Sequence, residues 1–227
     1  MSDAYGVPDR QVVLIHGLWR RPQSLRPFAE ALHAAGYDVL SYRYRSRFKT
    51  VAQLGAGLRD WLGKRAPQGR GAFSFVTHSL GGILLRVALA PPAPVDVGRI
   101  VMLAPPNHGV GGLRRFAGTP LPALIYGRPA AELHPGSALF DNLPIPQAEI
   151  GIVAGTLGLS AANPNSWANA ALGDQAASDG TVEVESTRLP VPHAFCTVAA
   201  THGRLCRDPR AIAQTLSFLQ TGRFREL

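Results

Sequence analysis

The chain has 227 residues, of which 46% are hydrophobic and 17% are charged, and its formal net charge is +8. This composition is typical of a globular protein and excludes an intrinsically disordered chain. The sequence lacks an apolar run long enough for a membrane-spanning helix, and its start lacks the apolar core of a signal peptide, so the expected location is cytoplasmic.

Strand and helix patterns alternate along the first part of the chain. Residues 12–15 form a fully apolar run, which is typical of a strand covered on both faces. A helix follows, with Ser24 as its expected cap and Gly36 beyond its end. The next strand begins at Val39, and Thr50 is the expected cap of the second helix.

The same alternation continues to the end of the sequence. The last helix is expected to begin at Asp208-Pro209 and to end at Gly222. This order predicts an α/β fold with a mainly parallel sheet and helices on both faces, in one domain over residues 1–227. Four further strands are predicted at residues 72–76, 100–104, 150–154 and 194–198.

Two longer segments, 105–147 and 156–179, interrupt the alternation. We expect residues 105–147 to lie over the carboxyl edge of the sheet as a cap or lid. Its apolar side chains are expected either to line an acyl pocket or simply to pack on the sheet. They are Leu113, Phe116, Leu121, Leu124, Ile125, Leu133, Leu139 and Phe140.

Ser79 lies between a predicted strand and a predicted helix, in the sequence VTHSLGG of residues 76–82. A serine at such a corner sits in a strained turn that pushes its hydroxyl out of the sheet. Thr77 stands where the pattern G-x-S-x-G has its first glycine, and we expect Gly81 and Gly82 to leave the space that it needs. The alternative is an ordinary turn with a solvent-exposed serine.

A second motif, HGLW at residues 16–19, directly follows the first strand. Gly17 would allow a tight turn, so that the N–H of Leu18 and the N–H of Leu80 form an oxyanion hole. For His16 we favour a scaffold role over a chemical one.

Two polar residues follow later strands, namely Asp179 in SDGTV and His202 in ATHG. Each alone is explained as well by a surface turn or a polar loop. Together with Ser79, however, they have the chain order Ser, Asp, His, each just past a predicted strand. Asp174 is the alternative acid, and His78 is interpreted as a residue packed inside the turn.

These motifs, together with APPNHG at residues 104–109, resemble the α/β-hydrolase superfamily, and within it the small bacterial lipase/esterase-like proteins, over residues 11–224. The resemblance implies a minimal version of that fold with Ser79 as nucleophile, Asp179 as triad acid and His202 as base. It implies cleavage of carboxylic esters through an acyl-enzyme, with no cofactor and no metal. The chain departs from the family pattern at two places. Thr77 stands in place of a glycine, and the oxyanion turn has a single glycine instead of a run of them.

The expected substrate is an acyl ester or a lipid, but the sequence leaves open a thioesterase or an acyltransferase on the same triad. The residues expected to contact substrate are Trp19, His108, Phe116 and Leu121. His193 precedes its strand and should lie at the wrong edge of the sheet. The oligomeric state is left open.

A rival hypothesis is a non-catalytic module that binds anions or nucleic acid. Residues 42–48, with the sequence YRYRSRF, interleave arginine with aromatic residues, as surfaces that bind single-stranded nucleic acid do. No other nucleic-acid motif accompanies them, so no nucleic-acid partner is expected, whereas the positive charge favours transient contact with an anionic membrane surface. Cys196 and Cys206 are interpreted as free thiols, although a bridge between them is left open.

Overall fold

The computed structural model describes residues 11–65, 72–158 and 177–226. Within these ranges six parallel strands form one sheet in the order β2-β1-β3-β4-β5-β6. The strands are β1 (Gln11–Ile15), β2 (Asp38–Tyr42), β3 (Phe73–His78), β4 (Val97–Leu103), β5 (Ile150–Gly155) and β6 (Ala194–Val198).

Six α-helices connect or follow these strands in the described ranges. They are α1 (Arg26–Ala34), α2 (Val51–Gly63), α3 (Leu80–Ala88), α4 (Leu121–Tyr126), α5 (Arg128–Glu132) and α6 (Pro209–Thr221). None of the described helices has both the length and the apolar character needed to cross a bilayer.

Helices cover both faces of the sheet, as predicted. Successive side chains of a strand point to opposite faces. Val13 and Ile15 accordingly pack in a core with α2 and α3, whereas Val12 and Leu14 pack in a second core with α1 and α6. Burial on both faces explains why these strands read as continuous apolar runs in the sequence.

The strand order reverses beside β1, because the chain places β2 on one side of β1 and β3 on the other. In open α/β sheets, ligands bind outside the carboxyl ends of the strands at such a point. Leu18 follows β1 and Ser79 follows β3, so the two motifs singled out in the sequence meet there.

The N-terminal caps of the helices agree with the sequence signals in two cases and differ in one. The Thr50 side chain accepts a hydrogen bond from the N–H of Gln53 at 3.2 Å in a reciprocal capping box. The Asp208 side chain caps α6 by accepting a hydrogen bond from the N–H of Arg210 at 2.9 Å. The predicted cap Ser24 was wrong, because residues Pro22–Leu25 form a 3₁₀ turn in which the Ser24 hydroxyl donates backwards to Arg21 O.

The segment between β4 and β5 contains a 3₁₀ turn (Gly111–Phe116), α4 and α5. The buried guanidinium of Arg86 holds this segment against α3. It donates hydrogen bonds to Leu143 O at 2.7 Å, Pro144 O at 2.9 Å and Asn107 Oδ1 at 3.0 Å. Burial lowers the pKa of Arg86 to about 10. Of the second long segment, residues 159–176 lie outside the described residues, and with them Asp174.

Candidate active site

Ser79 forms the corner between β3 and α3, with backbone angles φ 53° and ψ −126°. A non-glycine residue with positive φ is strained by about 1–3 kcal/mol, and the surrounding structure must hold it there. The N–H of Ser79 donates to Leu103 O of β4 at 2.9 Å, which fixes the turn against the neighbouring strand.

The two glycines after Ser79 allow a close approach of chain segments. A Cβ on Gly81 would lie 2.8 Å from His16 O and closer still to Ile15 O, so α3 could not begin against the end of β1 with any other residue. A Cβ on Gly82 would lie 3.2 Å from Thr77 Oγ1. The missing side chain at Gly82 therefore accommodates the threonine that replaces the usual glycine.

Gly17 begins the predicted turn, in which the Arg20 N–H donates to Gly17 O at 3.2 Å, and it has a further role. It does not have a positive φ, which occurs instead at Trp19 (φ 56°). A Cβ on Gly17 would lie 2.8 Å from His78 Nδ1 and 3.1 Å from Ser79 Cβ. Glycine is required here because the turn after β1 packs directly against the corner that carries Ser79.

The two amides expected to form an oxyanion hole lie on either side of this contact. Leu80 is the first residue of α3, where an N–H has no partner within the helix. In the described part of the chain, neither the Leu18 N–H nor the Leu80 N–H donates a hydrogen bond. Both donors therefore lack a hydrogen-bond partner among the described residues, as the predicted oxyanion hole requires.

Asp179 and His202 lie in contact at the carboxyl edge of the sheet. His202 Nδ1 donates to Asp179 Oδ2 at 2.7 Å, and Asp179 is only 1% exposed. The other carboxylate oxygen, Oδ1, accepts from the N–H groups of Thr181 at 3.0 Å and Val182 at 2.8 Å. Because an ionised carboxylate only accepts, the proton of the neutral imidazole is held on Nδ1 and the lone pair remains on Nε2.

Two glycines make room for that aspartate. A Cβ on Gly155, at the end of β5, would lie 2.7 Å from Asp179 Cβ, and Gly180 takes a φ of 88° directly after it. The N–H of His202 also donates to Asp179 O at 2.9 Å. The loops after β5 and β6 are thus joined through both backbone and side chain.

His78 connects the serine corner to the histidine loop. Its Nε2–H donates to His202 O at 3.1 Å, and the two rings lie 4.6 Å apart between centroids. Burial, and then the neighbouring His202, hold the pKa of His78 well below its usual value, so this ring is neutral. Among the described residues, no hydrogen bond joins the Ser79 hydroxyl to the His202 ring; the His78 contact is what places residue 202 beside the serine corner.

His16 packs as a structural residue. Its ring stacks on Tyr44 at 4.2 Å with an interplanar angle of 2°, and its Nδ1–H donates to Gly17 O at 2.9 Å. The Tyr44 hydroxyl donates back to His16 O at 2.7 Å. Burial lowers the pKa of His16, which keeps a neutral ring beneath the turn.

An apolar cavity of about 250 Å³ lies between the 105–147 segment and the loop that follows Asp179. Phe116 and Leu121 line it, as does Thr181, whose N–H is bound to the Asp179 carboxylate. Trp19 does not line the cavity, but its Nε1–H donates to the carbonyl of the lining residue Tyr126 at 2.9 Å.

The structure does not bring His108 to this cavity. Its side chain borders a second, more polar cleft together with Arg114, Glu183 and Ser186. The His108 N–H donates to Ser186 O at 3.1 Å, which joins the chain after β4 to the other side of that cleft.

The apolar residues of the 105–147 segment divide into three groups. Leu113, Phe116, Leu121 and Ile125 line the cavity. Leu133, Leu139 and Phe140 pack on the core instead, and Leu124 is exposed. Some of these side chains therefore pack on the core, as one alternative predicted, and others line a cavity, whose occupation by an acyl group stays a prediction. Tyr126 was missed, although an aromatic residue at the end of an apolar run was the available signal.

The two cysteines are free thiols, and burial raises the pKa of each to about 12. The aromatic residues of the 42–48 run do not form a stacking surface. Tyr42 packs against Trp61 in the core and Tyr44 lies under His16, so only Phe48 is exposed. This geometry removes the feature on which the nucleic-acid hypothesis depended.

The sequence profile of the alpha/beta hydrolase family matches residues 12–220. Similar solved structures include the lipase BlEst2 of Bacillus licheniformis in mature form, with a TM-score of 0.77, 21% identity, and coverage of 96% of this chain and 95% of that one. At such identities the likeness shows the fold alone. A search among curated proteins finds no match.

Two further similar structures are longer than this chain. The metagenomic carboxyl esterase MGS0156 has a TM-score of 0.67 and 19% identity, over 87% of this chain and 65% of its own length. Phospholipase PlaB of Legionella pneumophila has a TM-score of 0.68 and 20% identity, over 92% of this chain and 58% of its own length.

Proposed function

Since the chain belongs to the alpha/beta hydrolase family over residues 12–220, we propose that it is a serine hydrolase that cleaves carboxylic esters with Ser79, His202 and Asp179. The observation that carries the proposal is the 2.7 Å hydrogen bond from His202 Nδ1 to a buried Asp179, at the sheet edge where Ser79 occupies a strained corner. Such an arrangement orients an imidazole as a base.

In the proposed reaction, His202 Nε2 accepts the Ser79 proton while the serine oxygen attacks the acyl carbon. The Leu18 and Leu80 N–H groups bind the oxyanion of the tetrahedral intermediate, and each such donor is worth about 10²–10³ in turnover. His202 then gives the proton to the departing alcohol. A water molecule, deprotonated by the same nitrogen, attacks the acyl-enzyme, releases the carboxylic acid and restores Ser79.

The acyl group is proposed to occupy the cavity lined by Phe116 and Leu121. In this proposal residues 105–147 are a cap on a single domain. The cavity volume of about 250 Å³ lies just below the roughly 300–1,000 Å³ of pockets that enclose drug-sized ligands. A cavity of this size favours short acyl chains.

The test is a panel of p-nitrophenyl esters and thioesters of increasing acyl length. We expect wild-type turnover on short esters and a loss on the order of 10⁶ in kcat for Ser79→Ala. Ser24→Ala, which removes a hydroxyl on the turn before α1, is the matched control and should keep full activity. Equal activity of Ser79→Ala and wild type would refute the proposal, and a fluorophosphonate probe should label wild type but not Ser79→Ala.

A further inference from the structure

A patch of exposed apolar side chains lies outside the cavity wall. We call it the apolar patch, and it consists of Trp19, Phe48, Leu121, Leu124 and Ile125. Phe48 is 75% exposed and Leu124 is 71% exposed. Large apolar side chains exposed together on one surface mark a site of interaction.

Three chain segments are held together at this patch. Arg47 lies over the Trp19 ring at 6.0 Å and donates to Leu124 O at 3.3 Å. Arg47 O in turn accepts from the N–H of Arg128 at 3.0 Å. Trp19 contacts Tyr126 through its ring and its Nε1–H. The exposed side chains therefore belong to one continuous surface.

The surroundings of the patch are strongly basic. Residues 43–49 contain four cations and no acidic residue, and two more cations, Arg115 and Arg128, lie on the segment that carries the patch. All six of these side chains are exposed, whereas Arg114 borders the polar cleft with Glu183. A second copy of this surface would be repelled by the like charges.

We propose that the apolar patch docks on an anionic lipid bilayer. Exposed aromatic and leucine side chains enter the boundary between headgroups and acyl chains, and each nearby Lys or Arg adds attraction to an anionic leaflet. Nucleic acid fits this surface poorly, because Tyr42 and Tyr44 face inward and leave no set of rings for base stacking.

The same surface borders the proposed acyl cavity. Leu121 and Ile125 belong to the patch and also line the cavity. A bilayer bound at the patch would thus present its lipid acyl esters at the cavity wall. This assignment of membrane lipids as the substrate class rests on the proposed function, whereas the docking itself does not.

Vesicle flotation tests the docking, with Ser79→Ala protein used so that lipid is not consumed. We expect binding to vesicles of phosphatidylglycerol and phosphatidylcholine, and at least tenfold weaker binding to phosphatidylcholine alone or in 0.5 M NaCl. The apolar contribution is tested with a double variant that carries Phe48→Ser and Leu124→Ser. This variant should bind the anionic vesicles at least tenfold more weakly. Arg43→Gln with Arg45→Gln should weaken binding about 30-fold.

Matched controls carry the same chemical changes elsewhere on the surface. Val191→Ser removes an exposed apolar side chain, and Arg26→Gln removes an exposed cation on α1. Both should bind vesicles as the parent does. Absence of binding to anionic vesicles, or an equal loss in these controls, would overturn the proposal, as would a dimer in solution that Phe48→Ser with Leu124→Ser abolishes.

Docking and chemistry can fail separately. Phe48 and Leu124 do not line the cavity, so an otherwise wild-type protein with both replaced by serine should hydrolyse a water-soluble ester at the normal rate. Vesicle binding without ester hydrolysis would refute the proposed function and leave the docking intact. Ester hydrolysis without vesicle binding would refute the docking and leave the proposed function intact.

Discussion

Replacing Asp179 with asparagine tests the proposed catalytic geometry most directly, because the substitution keeps the shape and replaces one acceptor oxygen with an NH₂ donor. Asp179 Oδ1 accepts two backbone N–H groups, and Oδ2 accepts His202 Nδ1–H. An asparagine has one acceptor oxygen and one donor NH₂. If the NH₂ faced the backbone, it would lie against two N–H donors. If it faced His202, it would lie against only one.

The second arrangement should therefore prevail in the variant. The His202 proton then moves to Nε2, which can no longer accept a proton from Ser79. We expect kcat to fall by about 10⁴, equivalent to about 5 kcal/mol of barrier. Steady-state and single-turnover kinetics on a p-nitrophenyl ester measure this loss.

Asp208→Asn is the matched control, since Asp208 also accepts a backbone N–H, that of Arg210 at 2.9 Å, but at a helix cap far from the serine corner. Asparagine caps helices as well as aspartate does, so activity and stability should change little. If Asp179→Asn keeps more than a tenth of the wild-type kcat while folded, the assignment of Asp179 as the residue that orients the base is wrong.

Three further predictions concern the surroundings of the site. Gly17→Ala adds a Cβ 2.8 Å from His78 Nδ1; we expect this to displace the serine corner and lower kcat and the rate of fluorophosphonate labelling about 10²-fold. The pKa values of His16 and His78 are lowered by burial, so below about pH 6.5 the unfolded chain binds protons that the folded chain does not. The free energy of unfolding should then decrease as the pH decreases, by up to about 1.4 kcal/mol per pH unit for each histidine. Urea titrations between pH 7.5 and 5 measure this change. Burial raises the pKa of Cys196 and Cys206 to about 12, so iodoacetamide at pH 8 should modify neither until urea unfolds the protein, as mass spectrometry would detect.

Each of these three predictions has a result that would contradict it. Unchanged labelling in Gly17→Ala would show that the contact with His78 is easily relieved. An unfolding free energy that is flat between pH 7.5 and 5 would contradict neutral burial of the two histidines. Rapid alkylation of either cysteine in the folded protein would contradict the raised pKa of its thiol.

The parallel sheet could be predicted because its central strands are buried on both faces, so that they appear in the sequence as apolar runs such as residues 12–15. Asp208 and Thr50 could be predicted as helix caps because capping is local. Ser24 has the same local signal, but Pro22 opens a 3₁₀ turn that moves the helix start past it. Local chemistry alone cannot tell these cases apart.

Other features depend on contacts between distant segments, which no local pattern records. Gly17 was correctly singled out, but for its turn and not for its contact with His78 from another strand. His108 follows β4 as a pocket residue would, yet it borders a different cleft, where its N–H donates to Ser186 O. Tyr44 of the 42–48 run faces inward because its ring stacks on that of His16 from another segment.

The Arg86 contacts bear on how a fold of this kind can diversify. One guanidinium fastens Asn107, near the start of the 105–147 segment, and the carbonyls of Leu143 and Pro144, near its end, to the helix that follows Ser79. These anchors hold both ends of the segment in register with α3, independently of the residues that line the cavity between them. Substitutions at cavity-lining positions such as Phe116 and Leu121 can therefore change the shape of the cavity without loosening the attachment of the segment to α3.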